Sequence, residues 1–325
     1  MSDELIVRFW GVRGSYPTPG KHTVKYGGNT ACVEIRAGDR TLILDAGTGI
    51  IPLGRELLRE SPPRRPLELM LLFSHLHHDH TQGFPFFVPA LLPQTRIHIF
   101  GPGTTPETLE HVLEDNQSPQ TFPVTLREMA STKIIRSLRD SEAVTWDEDG
   151  VKLNEPGETL KKDAILIRIH RSYAHPGGVY VYRISWHGTS VVYATDTEGY
   201  AGSDRRLTGF AHNADLLIHD AQYTEEHYYG QVAGFPSTQG YGHSTMNMAC
   251  EVARAAEVNR LVLFHHEPSY DDAVIAKMEN QAHVLFAQSM AAYEGLEIKI
   301  PAVSPYGIGR EVSLAERGVK YAQHG

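Results

Sequence analysis

The run His75-Leu76-His77-His78-Asp79-His80 spaces three histidines and an aspartate as His-x-His-x-Asp-His, with a further histidine, His78, inside it. Imidazole and carboxylate are ligands for Zn²⁺, Mn²⁺ or Fe. His75 and His77 stand two apart, so an extended or sharply turned backbone aims both at one ion. Asp79 and His80 are adjacent, point differently, and reach a second ion. The run follows the apolar segment 67–73, which reads as a buried strand. A ligand cluster just past such a strand has rigid support behind it, as an active site requires. Its internal position and the aspartate at a fixed offset separate it from a terminal tag or a surface tract.

Two ions need more ligands than this run holds, and the ends of other expected strands offer them. His175 lies in the turn Tyr173-Ala174-His175-Pro176-Gly177-Gly178. Asp196 ends the strand expected over 191–194, and His265 ends the one over 261–264. Each alone reads as a cap or turn residue. Together they complete a three-histidine set (His75, His77, His175) and a mixed set (Asp79, His80, His265), with Asp196 as an anionic bridge.

The elements that must position these groups alternate strand and helix. Residues 5–10, 33–35 and 41–44 read as strands, with turns at 27–29 and 37–39. The turn Asp45-Ala46-Gly47-Thr48-Gly49 leads to a helix over 50–60, and the Pro-rich stretch 61–66 links to the strand before the histidines. The aromatic stretch 82–87 is expected partly in the core and partly on a pocket wall. A strand over 97–100 and a helix over 105–116 follow. Residues 117–160 are mixed and polar, and are expected to form a lid or a dimer contact within one domain spanning 1–325. Strands at 165–170, 178–185, 190–194 and 216–218, a helix at 247–256, and one long or two short helices over 271–293 complete the α/β layering.

Composition excludes several classes. The 325 residues are 41% hydrophobic and 21% charged, ordinary for a globular chain. No apolar run approaches the roughly 20 residues that span a bilayer. The acidic start Met1-Ser2-Asp3-Glu4 is no secretory signal. The two cysteines, Cys32 and Cys250, stand in no metal-binding spacing, and Cys250 reads as core filler, so a reducing cytoplasm is the expected compartment. Thirty basic against 39 acidic residues leave a net charge of −9, which disfavours a long nucleic acid as partner. The short pairs Arg64-Arg65 and Lys161-Lys162 read as solvated loop charges.

The histidine run, His175, Asp196, His265 and the turn at 45–49 together resemble the metallo-β-lactamase superfamily in order and spacing, over roughly residues 5–300. The resemblance implies an αββα four-layer sandwich with a dinuclear metal site at one edge. It implies two divalent ions, zinc first and manganese or iron as alternatives, and a supporting role for Asp45. Within that superfamily, Gly242-His243-Ser244-Thr245 and Asp220 are similar to the ribonuclease Z and cyclic-phosphodiesterase branch. There a carboxylate at the position of Asp220 orients a histidine at that of His243, which serves the scissile phosphate and the leaving oxygen. This chain has aspartate where ribonuclease Z typically has glutamate. His266 competes with His265, and strand register with the family pattern favours His265.

Asp79, His243 and Asp220 are therefore the candidate catalytic groups, with Asp79 also a ligand. The block from Phe9 to Ser15 and from Tyr26 to Thr30 looks like phosphodiesterases of small substrates, in which Arg13 either contacts phosphate or forms a structural salt bridge. The expected function is dinuclear metal-dependent hydrolysis of a cyclic nucleotide or another small cyclic phosphodiester, in a protein without membrane association. Related phosphodiesterases are often homodimers. The alternatives are a tRNA 3′-processing endonuclease, a carboxyl ester, thioester or lactone hydrolase, and a nucleotide-binding sensor without catalysis.

Overall fold

The structure, a computed structural model, describes residues 4–60, 66–103, 109–154, 159–199 and 204–302. Most of the 61–66 linker with Arg64-Arg65, the start of the helix expected from 105, and the first three residues lie outside the described residues.

Two sheets are formed. The first has seven strands: β1 (Glu4–Gly11), β2 (Cys32–Ala37), β3 (Arg40–Leu44), β4 (Leu67–Leu72), β5 (Thr95–Pro102), β6 (Thr132–Leu138) and, returning from the far end of the chain, β15 (Glu297–Pro301), in the order β15-β1-β2-β3-β4-β5-β6. The second has eight: β7 (Ala143–Asp147), β8 (Gly150–Asn154), β9 (Ile165–Ser172), β10 (Val179–Trp186), β11 (Thr189–Ala194), β12 (Leu216–Asp220), β13 (Leu261–Phe264) and β14 (Ser289–Ala291), in the order β14-β13-β12-β11-β10-β9-β7-β8. The helices are α1 (Ile50–Glu60), α2 (His78–Thr81), α3 (Leu109–Asn116), α4 (Arg205–Ala211), α5 (Glu225–Tyr228), α6 (Met246–Ala255) and α7 (Asp272–Leu285).

Side-chain periodicity explains the layering. In β1, Leu5, Val7 and Phe9 are buried while their neighbours are half-exposed, the alternation of a strand with one core face. They join Leu42, Leu44, Leu72, Tyr182, Ile184, Tyr193, Ile218 and Phe264 in the core between the sheets. β11 and β12 are buried along their whole length because helices cover their outer face. On α1, Ile50, Leu53, Gly54 and Leu57 form one buried stripe at helical spacing. That stripe closes an outer core with Phe73, Phe84 and Leu109, while α4, α6 and α7 close another over β11 to β13. The result is the expected αββα sandwich.

The site rests on the parallel strands. β3 and β4 run parallel in one sheet, and β11, β12 and β13 in the other. Their carboxyl ends meet at one edge, the usual location of ligand sites in α/β sheets. Tyr182 OH donates to Phe73 O at 2.6 Å, and Tyr180 N to Ser74 O at 2.8 Å, joining β10 to the end of β4.

Two stretches differ from or extend the sequence reading. Residues 271–293 hold one helix, capped by the Asp271 side chain on the N–H groups of Ala273 and Val274, and then the short strand β14. Parallel pairing with β13 overrides the local helical pattern there. Residues 117–160 supply β6 at one sheet edge and the β7–β8 hairpin at the edge of the other. In the stretch 82–87, Phe84 and Phe87 are buried and Phe86 is exposed.

Phe264, fully buried against Phe9 and Tyr193 at ring distances of 6.0 and 5.7 Å, stands directly before His265. Phe264→Ala should destabilise the protein by about 3–5 kcal/mol, and Phe264→Leu by clearly less. Urea unfolding monitored by circular dichroism measures both.

Candidate metal centre

Four groups converge past the ends of β4, β11 and β13. His265 Nε2 lies 3.1 Å from Asp79 Oδ2, 3.2 Å from His80 Nε2 and 3.3 Å from Asp196 Oδ1. His80 Nε2 lies 3.4 Å from Asp79 Oδ2 and 3.2 Å from Asp196 Oδ1. Ligands about 2.0–2.2 Å from a tetrahedral zinc are about 3.3–3.6 Å apart, so these edges are close to a ready-made coordination shell.

The hydrogen bonds behind the rings show why a cation fits. His80 Nδ1 faces Asp45 Oδ2 at 2.7 Å, and His265 Nδ1 faces Gln222 Oε1 at 3.2 Å. Both partners are acceptors, which assigns the proton to Nδ1 and leaves each Nε2 lone pair aimed inward. Two lone pairs and two carboxylates around one point require positive charge. Burial works against protonation of His80, yet Asp196, Asp79 and Asp45 push its pKa well above the ordinary value. A divalent ion meets the same demand with the lone pairs engaged.

The second set is His75, His77 and His175. His77 Nδ1 and His175 Nε2 are 3.1 Å apart, and all three rings offer nitrogens to a common point. Burial pushes His75 well below its ordinary pKa and lowers His77 and His175, so the rings are held neutral, the form in which an imidazole can bind a cation. His75 Nε2 is buried without a hydrogen-bond partner, which leaves its lone pair available to an ion at this point. Asp196 reaches both sets, with Oδ2 3.5 Å from His75 Nε2 and Oδ1 near His80 and His265.

Asp220 and His243 form a pair beside the ligands. Asp220 Oδ2 takes His243 Nδ1–H at 2.8 Å and Asp196 N at 3.1 Å, and Oδ1 takes the N–H groups of Ser244 at 2.9 Å and Gln222 at 3.1 Å. These four contacts occupy both oxygens of Asp220 and fix its carboxylate against His243. The His243 ring stacks on His265 at 5.0 Å. Burial opposes charge on His243, but the charge and hydrogen bond of Asp220 push its pKa up to about 9.

The backbone at the strand ends is unusual. Asp45 and His265, the first residues past β3 and β13, and Asp196, the second past β11, adopt positive φ of 61°, 64° and 49°. Three non-glycine residues held in this region around one site point to function. Gly14 must be glycine, since a Cβ there would lie 2.4 Å from the His265 ring.

Other sequence candidates turn away. His266 is buried and donates through Nε2 to Ala292 O at 2.9 Å, so His265 is the member of the pair that meets the cluster. His78 is exposed and belongs to no group of candidate ligands. The buried Arg13 guanidinium donates to Gly27 O at 2.8 Å, Glu267 O at 3.0 Å and Tyr270 O at 2.7 Å, so it ties loops together instead of facing phosphate. Sequence reasoning missed Gln222 behind His265, Tyr193 OH on Asp45 at 2.8 Å, and Ser15 N on Asp79 at 2.7 Å. Only the position of Gln222, two past Asp220, offered a signal.

Fold and site together define a metal-dependent hydrolase of the metallo-β-lactamase fold. The chain belongs to the β-lactamase superfamily: residues 40–266 match the beta-lactamase superfamily domain. It is 26% identical to a ribonuclease Z of Thermoplasma acidophilum over 305 residues, covering 85% of this chain and 90% of that one. Among solved structures it resembles a diphosphatase of the PhnP family, with a TM-score of 0.60, 15% identity, and coverage of 91% of this chain and 98% of that one. It also resembles zinc-bound PqqB of Methylobacterium extorquens, with a TM-score of 0.63, 15% identity, and coverage of 91% and 100%. The family implies divalent metal ions. No helix among the described residues is long and apolar enough to cross a membrane.

Asp45→Asn keeps the side chain's size but presents an NH₂ to donors. It should weaken metal binding about 10–100-fold. Titration against a competing chelator reads that loss directly, and wild-type affinity would refute the supporting role of Asp45.

Proposed function

We propose that the protein is a dinuclear metal phosphodiesterase acting on a cyclic nucleotide or another small cyclic phosphodiester. His75, His77 and His175 would hold one ion and Asp79, His80 and His265 the other, with Asp196 within reach of both sets. Zinc is the first assignment, since imidazole and carboxylate at these spacings suit it, with manganese or iron as alternatives.

The observation that carries this reading is the Asp220–His243 pair at the edge of the ligand set. When bound, the two ions supply a water of lowered pKa and neutralise charge on the phosphoryl oxygens. Hydrolysis forms a P–O bond to water, which gives up a proton, and breaks the P–O bond to the leaving oxygen, which takes one. His243, kept charged by Asp220, is placed to give that proton.

Substrate size is argued from charge and from the rim. A chain of net charge −9 suits a small anion gripped by metals better than a long polyanion. Exposed Tyr16, Tyr173 and Tyr241 each stand within two residues of a group in the site, namely Ser15, His175 and His243. Exposed aromatic rings beside a phosphate site suit a nucleobase.

A second reading, cleavage of a tRNA 3′ trailer, is favoured by the relatives named ribonuclease Z. Against it, the end of the glycine-rich loop 231–242 is tied to the body, with Gly240 N and Gly242 N 2.7 and 2.9 Å from the Glu198 carboxylate oxygens.

His243→Ala should lower kcat about 10²–10⁴-fold while metal content stays at two ions. Asp196→Ala should abolish turnover, and full activity in that variant would end the dinuclear assignment. Purified, metal-analysed protein should hydrolyse bis(p-nitrophenyl) phosphate and at least one 2′,3′- or 3′,5′-cyclic nucleotide. Turnover of a precursor tRNA with inertness toward every cyclic phosphodiester would replace the first reading with the second.

A further inference from the structure

Glu198 is a buried carboxylate outside the ligand set, two residues past Asp196 and 4% exposed. Three donors converge on it. Tyr228 OH and Gly240 N meet Oε1 at 2.6 and 2.7 Å, and Gly242 N meets Oε2 at 2.9 Å. Gly240 and Gly242 have φ of +82° and +90°, a backbone that L side chains avoid. The carboxylate therefore gathers the N–H groups of a turn that only glycine can make.

That turn is seated on His175. Gly242 O receives His175 Nδ1–H at 3.1 Å, and a Cβ at position 242 would lie 2.3 Å from the same nitrogen. Glu198 N also donates to Ala174 O at 3.3 Å, so one residue grips the backbone before the ring and the carbonyl behind it.

We infer that Glu198 is a positioning residue that, through the Gly240–Gly242 turn, sets the tautomer and orientation of His175. An imidazole offers its Nε2 lone pair to a cation only while the proton stays on Nδ1, and the acceptor behind the ring decides that. Here the acceptor is a backbone carbonyl, and its place is held by Glu198. The inference rests on the metal reading only in treating His175 as a ligand.

Glu198→Gln keeps the shape but turns an NH₂ toward donors, which releases one glycine N–H. Tyr228→Phe removes one hydrogen bond to Glu198 and leaves the Gly242 contact intact. Histidine-selective ¹⁵N NMR of the metal-free full chain should show His175 as a single Nδ1–H tautomer in wild type and Y228F, and as a tautomer mixture in E198Q. Titration with Zn²⁺ against a chelator should show one of two binding steps weakened about 10–100-fold in E198Q and neither in Y228F. Simple loss of packing would lower the melting temperature without changing the tautomer. If E198Q does not fold, E198D, one methylene short, is read in the same way. An unchanged His175 spectrum with wild-type affinity in both steps overturns the inference. A wild-type chain that binds a single ion overturns the dinuclear reading instead, and the nitrogen spectrum still decides the role of Glu198.

Discussion

The buried carboxylate of Asp45 is the contact on which the site depends. It accepts Ser74 N at 2.7 Å, Ser74 Oγ at 2.8 Å, Tyr193 OH at 2.8 Å and His80 Nδ1 at 2.7 Å. Two of those donors open the histidine run, one lies on the opposite sheet, and the last is a candidate ligand. A fully buried charge is costly unless every lone pair is used. Here four donors use them, so the carboxylate fixes the turn after β4 relative to β11 and sets the direction of the His80 lone pair at once.

The same logic repeats outward. Asp220 orients His243 and holds the Asp196 backbone, and Gln222 orients His265. In each case a polar group behind the ring accepts a hydrogen bond from Nδ1; at His80 and His265 this leaves the opposite nitrogen bare toward the centre, while at His243 the charge of Asp220 favours the protonated ring. The centre is thereby frustrated without a cation, and three strand-end residues tolerate left-handed backbone to create it. Natural sequences concentrate such conflicts where function requires them.

Much of this is legible in the sequence because the ligands follow apolar runs. Histidine or aspartate directly after a buried strand has one place to go, the carboxyl edge of the sheet, and His75, Asp196 and His265 are found that way. The pairing of Asp220 with His243 is legible through family resemblance. Glu198, Tyr193 and Ser15 are not, because each acts through a contact distant in sequence and carries no local pattern. Arg13 shows the limit from the other side. Its residue type suits phosphate or a salt bridge, and only its burial among three carbonyls settles it as a tie between loops. Ser289–Ala291 looks helical in isolation because parallel pairing with β13 is invisible to local propensity.

The candidate ligands come from both halves of the sandwich: His75, His77, Asp79 and His80 follow β4 in the first sheet, while His175, Asp196 and His265 follow strands of the second. An ion bound across that seam would cross-link two layers that apolar packing and a few hydrogen bonds, such as Tyr193 OH to Asp45, already join. Because a separated pair of layers offers no complete coordination shell, occupancy raises the free energy of prying them apart by the differential affinity of closed and open forms. Metal supply in the surroundings would then be a term in the lifetime of the folded chain, and a cofactor chosen for reactivity would also govern how long the protein persists.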